Sequence, residues 1–248
     1  MSARTASFSG VVLALACAAL PSGAAAQSKG DAFAGKIPPV SGQLYRKAGR
    51  VELTATGNLS LNDAFFTKYF GGVKLGYHFS EHLSTAVHAA GGAAVKSNSA
   101  VVCSAARGCE DATSVMLRQV PGRIRWLVGG ELAWSPIYGK LNVLSERVAH
   151  FDLSLFAGPD LIAYDEVLAK DVALVRAPAV ATTVGGHVGL GLRLFFTESI
   201  AARFEVKDYV YAVQVPNGGV GTDFQNQLFA ELGVSFFFPG RNRPPVSP

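Results

Sequence analysis

Residues 224–238 read Phe-Gln-Asn-Gln-Leu-Phe-Ala-Glu-Leu-Gly-Val-Ser-Phe-Phe-Phe. From Leu228 every second residue is apolar: Leu228, Ala230, Leu232, Val234, Phe236 and Phe238. The alternate set holds Gln225, Gln227, Glu231, Gly233 and Ser235. A period of two residues is that of a strand with one apolar and one polar face.

Working back from this strand, the same period recurs. Strands are expected at about 50–60, 67–80, 83–95, 122–135, 148–163, 181–197, 199–212 and 225–238, each bounded by turn residues. In the first, Val51, Leu53, Ala55, Gly57 and Leu59 alternate with Glu52, Thr54, Thr56 and Asn58. In the seventh, Ile200, Ala202, Phe204 and Val206 alternate with Arg203, Glu205 and Lys207. The third is the weakest, with Thr85, Val87 and Ala89 against Ser84, Ala86 and His88. The gaps alternate between long (Lys96–Pro121, Tyr164–Val180, Val213–Phe224) and short (Ser80–His82, Thr197–Glu198), with Asn62–Phe66 on the long side. Long loops on one side and short turns on the other are the habit of an outer-membrane barrel. The connection 135–147 is long for a turn, and Ile137–Leu144 could form a short strand of its own.

Collected over all strands, the polar face carries Glu52, Glu131, Asp152, Glu205 and Glu231 against Lys74, Arg125, Arg193, Arg203 and Lys207. The apolar face carries Trp126, Trp134, Phe79, Phe204, Phe236 and Phe238. A soluble barrel would keep its apolar residues inside. Here the charges balance, so ion pairs inside and an apolar band outside are expected. Buried charges are costly unless paired, and eight strands enclose only enough space for side chains to fill. The expectation is an all-β, eight-stranded antiparallel transmembrane barrel with a plugged polar lumen. Gly72, Gly76, Gly129, Gly185, Gly189 and Gly191 fall on the inward phase, where long Arg and Lys side chains need room.

The chain begins with Arg4 followed by an apolar stretch, Phe8–Leu20, then Pro21-Ser22-Gly23 and Ala24-Ala25-Ala26 before Gln27. This reads as a signal peptide, residues 1–26, cleaved after Ala26. A lipoprotein signal with Cys17 as acceptor is the weaker alternative, since Ala14 stands where Leu is preferred. Residues 27–49 are expected as a periplasmic extension, 50–238 as the barrel and 239–248 as a Pro-rich tail, with no further domain. Cys103 and Cys109 then remain. An even pair in an exported chain suggests a disulfide stapling a loop tip.

Of the 248 residues, the formal net charge is +4, and no basic cluster alternates with aromatic residues, which argues against nucleic acid as a partner. The mean hydropathy of +0.27 is high for a soluble domain, yet no mature segment offers the run of about 18 apolar residues that a membrane helix needs.

The last strand also resembles the assembly signal of bacterial outer-membrane barrels, polar-x-Gly-x-x-aromatic-x-aromatic, at Glu231, Gly233, Phe236 and Phe238. Tyr69-Phe70-Gly71-Gly72, Gly76-Tyr77-His78-Phe79-Ser80-Glu81, Trp134-Ser135-Pro136-Ile137-Tyr138-Gly139-Lys140 and His150-Phe151-Asp152 resemble the outer-membrane β-barrel domain proteins of myxobacteria and related deltaproteobacteria, within the OmpA/OmpX-like small barrels. The resemblance runs from about Tyr45 to Phe238. It implies a Gram-negative outer membrane, contact with its lipid and lipopolysaccharide, and insertion by the barrel assembly machinery. It implies no reaction, and any loop ligand stays unspecified.

The inward phase carries several candidate chemical groups. His78, His88, His150 and His187 could form a metal site, but no HExxH or close ligand cluster is present. Hydrogen bonding within a polar core is the expected role, with no metal or cofactor. His78-x-Ser80 beside Glu81 resembles the His-x-Ser pair of lipid A deacylases. It faces inward at the short-turn end, away from lipid, which weakens that reading. Asp152, His150 and Glu131 could be drawn as a catalytic group, but Ser154 has no special environment to act as nucleophile. Gly-Gly-His-Val-Gly-Leu-Gly at 185–191 is not a phosphate loop, because strand period runs through it and no helix follows. The expected function is structural or surface-interacting, without catalytic residues and without an open pore. The alternatives are a lipid-modifying enzyme or a narrow small-solute channel.

Overall fold

The computed structural model describes residues 45–104, 108–143, 147–216 and 220–238. The expected signal peptide, Cys17, the cleavage site, most of the N-terminal extension and the C-terminal tail lie outside these residues.

Eight strands close into an antiparallel ring: β1 (Val51–Ser60), β2 (Phe66–His78), β3 (Leu83–Lys96), β6 (Ile124–Val143), β7 (Arg147–Asp165), β8 (Val180–Phe195), β9 (Ile200–Pro216) and β10 (Val220–Phe238). Each pairs with its chain neighbour in the ring, and β1 pairs with β10 from Val51↔Phe238 to Ser60↔Phe229, which closes the sheet. Closure gives each of the eight strands a partner on both sides, although β3 pairs with β6 only from Leu83 to Gly91. The connections 79–82 and 196–199 are short and mark the turn end, where β1 starts and β10 finishes. At the opposite, loop end, a two-stranded hairpin, β4 (Val101–Ser104) with β5 (Gly108–Asp111), rises from the β3–β6 connection. The β7–β8 connection carries a short helix, α1 (Lys170–Val175).

The outward phase is the apolar one. Tyr69, Val73, Leu75, Phe79, Trp134 and Leu232 are all exposed, whereas Glu52, Lys74, Asp152, Arg193, Glu205 and Lys207 are buried.

Three features depart from the sequence expectation. Among the described residues the segment 135–147 supplies no extra strand: β6 runs on past the expected end near 135 to Val143, and β7 begins at Arg147. A register shift between Trp134 and Ile137 inserts one additional residue there, beside Pro136, which has no N–H to give to a ladder. The expected loop Val213–Phe224 is likewise mostly hairpin, with β9 and β10 paired as far as Val220↔Pro216.

The third departure is Arg125. Strict alternation placed it inside the barrel, but a second register shift falls between Ile124 and Trp126. A one-residue bulge flips side chains to the other face. Ile124 is therefore buried, while the Arg125 side chain is 44% exposed and pairs with Asp165. Arg125 is not a partner in the interior network.

Candidate functional site

The lumen is the best-defined polar site, and it is built in layers. At the turn end Phe195, Ala201 and Phe237 form an apolar cluster, with Tyr45 and Tyr138 packed against it. The chain enters β1 through this layer. Gly49 adopts φ 75, a conformation that suits glycine, and its N–H donates to the His78 carbonyl at 2.7 Å. The preceding residues act as a plug. Tyr45 stacks on Phe195 with ring centroids 5.4 Å apart. Arg50 donates to the carbonyls of Glu198 at 2.6 Å and Phe237 at 3.1 Å. Lys47 is buried and pairs with Asp152. Burial pushes the Lys47 ammonium below the usual lysine range and Arg193 adds to this, while Asp152 pulls it back.

Above the plug lies the charged layer. Glu52 receives Arg193 at 2.8 Å, Arg203 at 3.1 Å and the His78 ring at 2.8 Å. Asp152 receives Arg193 at 2.9 Å as well as Lys47. Arg203 also pairs with Glu205. Lys74 bridges Glu131 at 3.0 Å and Glu205 at 2.7 Å. Lys207 reaches Glu205 at 3.1 Å, Glu231 at 3.3 Å and Glu131 at 3.4 Å. The Phe156 ring lies beneath both ammonium groups, at 5.5 Å from Lys74 and 5.3 Å from Lys207. These contacts join β1, β2, β6, β7, β8, β9 and β10 through side chains alone. Each acid meets at least one base, which is what makes burying them tolerable.

The network thus holds nine of the ten residues read from the sequence, with Lys47 in the place assigned to Arg125. Sequence alternation could not find Lys47, because it precedes the first strand. Gly189 and Gly191 make room for the network: a Cβ on Gly189 would overlap the Phe156 ring, and one on Gly191 would lie 3.0 Å from the Ser154 hydroxyl.

Towards the loop end the inward phase turns aromatic. Phe70, Tyr209, Tyr211 and Phe229 pack with Ile124, Leu127 and Ile162 in one buried cluster. At the junction between this cluster and the charged layer, His88, Asp160 and His187 come together, all buried. The middle of the lumen is its most densely charged part, flanked on both sides by ring and aliphatic clusters, with the buried Lys68 amine paired to Asp63 and Gln227 at the loop end.

The connections above it are tied together as well. Arg118, in a 3-10 turn at Met116–Gln119, donates to the Ala173 carbonyl at 3.0 Å and the Arg176 carbonyl at 3.1 Å. Asp165 receives Arg123 at 3.3 Å and Arg125 at 2.6 Å. Cys103 and Cys109 face each other across β4 and β5 and are disulfide-bonded.

The His-x-Ser pair is taken apart by the fold. The His78 ring is turned inward onto Glu52, whereas Ser80 is exposed in the turn and its hydroxyl accepts from the N–H groups of His82 at 3.2 Å and Leu83 at 3.0 Å. Ser154 hydrogen-bonds the Gly191 carbonyl at 3.4 Å. His150 packs edge-on against Tyr45, with centroids 4.9 Å apart. The stretch 185–191 lies wholly within β8.

No family model matches this sequence, and no curated protein matches it. Among solved structures, the chain is similar to the N-terminal β-barrel domain of Pseudomonas aeruginosa OprF, at 14% identity and TM-score 0.47, over 77% of this chain and 98% of that one. It is similar to the outer membrane protein OprG of Pseudomonas aeruginosa at 14% identity and TM-score 0.48, over 79% and 98%. It is also similar to Neisserial surface protein A at 12% identity and TM-score 0.38, over 76% and 94%.

Proposed function

We propose that this chain is an integral barrel of a Gram-negative outer membrane, sealed along its axis, whose role is structural or lies in contacts made by its loops. One observation carries the reading. The outer surface of the closed sheet bears Trp126, Trp134, Phe204, Phe236 and Phe238 exposed, while the ionic groups are shut inside. An apolar surface of that extent around a whole barrel would aggregate in water and suits lipid. The natural surroundings are outer-membrane lipid and lipopolysaccharide.

Glu231, Gly233, Phe236 and Phe238 sit on β10, the strand that closes the ring against β1. Their placement fits a signal read by the assembly machinery before closure. The separation of His78 from Ser80 removes the motif on which a lipid-modifying activity would rest. In this reading the loop-end hairpin with its disulfide and the Arg118-clasped segment face the outside of the cell, and residues 27–49 the periplasm.

Protease added to intact cells tests this placement. Cleavage is expected within residues 97–123 and 166–179, leaving a protected, heat-modifiable barrel in the membrane fraction and sparing 79–82. Cleavage only after the outer membrane is permeabilised would reverse the orientation. Recovery of the folded chain in the soluble fraction would overturn the membrane assignment.

A further inference from the structure

Of the fully buried carboxylates among the described residues, Asp160 has neither Lys nor Arg as a partner; its neighbours are two histidines. His187 Nδ1 lies 2.7 Å from Asp160 Oδ2, and His88 Nε2 lies 3.0 Å from Asp160 Oδ1. His88 Nε2, Asp160 Oδ1 and His187 Nε2 are buried without a well-aligned hydrogen bond, and His187 Nε2 lies 3.6 Å from Glu131 Oε2. One donor atom from each of the three residues falls within 4.8 Å of the others.

The backbone explains how they meet. Gly129 on β6 pairs with His88 on β3 and with Asp160 on β7. A Cβ at Gly129 would overlap the Asp160 carboxylate, so the missing side chain leaves the gap over which the histidine and the aspartate face each other. His187 completes the group from β8.

We propose that His88, Asp160 and His187 form a binding site for a divalent transition-metal ion of the Zn2+ class. Two imidazoles and one carboxylate are borderline donors that suit such an ion better than Ca2+ or Mg2+. Bond lengths of about 2.0–2.1 Å put tetrahedral donors about 3.3 Å apart, against 2.7 and 3.0 Å for the two histidine–Asp160 separations and at most 4.8 Å within the group. The ion would supply the positive charge that Asp160 does not obtain from Lys or Arg.

The test uses the full mature chain without a polyhistidine tag, refolded into detergent with Zn2+ or Co2+ and then desalted. Elemental analysis is expected to give one ion per folded chain, and the cobalt form is expected to show the visible absorption of a four-coordinate site. The conservative variants Asp160→Asn and His88→Gln, with folding confirmed by heat-modifiable migration, are expected to lose at least tenfold in metal affinity, with His78, His82 and His150 still present. A folded wild type that retains no ion, or retains no more than the folded double variant His88→Gln/His187→Gln, overturns the proposal. Should the variants fail to fold, the wild-type stoichiometry and cobalt spectrum decide it alone.

Discussion

Arg203→Ala is expected to destabilise the barrel by about 3–5 kcal/mol, the usual cost of removing one member of a buried, charge-balanced ionic group. Arg203 donates to Glu52 and pairs with Glu205, and all three side chains are buried. Alanine leaves both carboxylates buried with one base fewer, Glu52 on Arg193 and Glu205 on Lys74 and Lys207, so the acids outnumber the bases by one. Denaturant unfolding of the refolded protein measures the loss. Arg125→Ala is the informative contrast. Its side chain is largely exposed, and Arg123 also holds Asp165, so the expected change is at most about 1 kcal/mol. Equal losses from the two variants would contradict both the interior position of Arg203 and the outward turn of Arg125.

Gly158→Val is expected to prevent assembly of a stable barrel. Any Cβ at Gly158 would overlap the Gly130 carbonyl oxygen and crowd the Glu131 Cα. These are backbone atoms of the paired strand and cannot swing aside as a side chain can. Relief requires separating β6 from β7 in the middle of their ladder, beside the Glu131 carboxylate. Overpacking of well-packed sites typically costs about 1–3 kcal/mol and sometimes more, and a backbone clash belongs at or beyond the upper end. Gly57→Val serves as control, because a Cβ there meets nothing within 4 Å. The heat-modifiable band should vanish for Gly158→Val and persist for Gly57→Val. Normal folding of Gly158→Val would show that β6 and β7 are not packed this closely.

The sequence made the strands and their faces legible because alternation is a local property. Val51 to Ser60 declares its own inside and outside without reference to any partner. Arg125 was misplaced because its phase depends on a bulge, and a bulge is a fact about the register of β6 against β7. Lys47 is not legible in the sequence because no periodicity extends into the segment before β1, although its ammonium joins the same network. The inward phase of β7 runs through His150, Asp152 and Ser154 to Phe156 and Asp160, so Asp160 carried a usable signal. What alternation could not reveal is that Asp160 meets His88 across Gly129, since that depends on pairing between strands distant in the chain. The aromatic layer was readable in part: Tyr209 and Tyr211 continue the phase of Arg203, Glu205 and Lys207. Charge marks the middle of the lumen in the sequence, and the rings lie just beyond it on the same phase.

The central claim is that the lumen is closed by paired side chains between two aromatic layers. Single-channel recording of the purified, refolded wild type in a planar bilayer at neutral pH tests it most directly. The structure leads us to expect no steady conductance, because long paired side chains fill the interior of an eight-stranded barrel, with Tyr45 and Phe237 at one end and Tyr211 and Phe229 at the other. Reproducible unitary currents would contradict the sealed lumen and favour a small-solute channel.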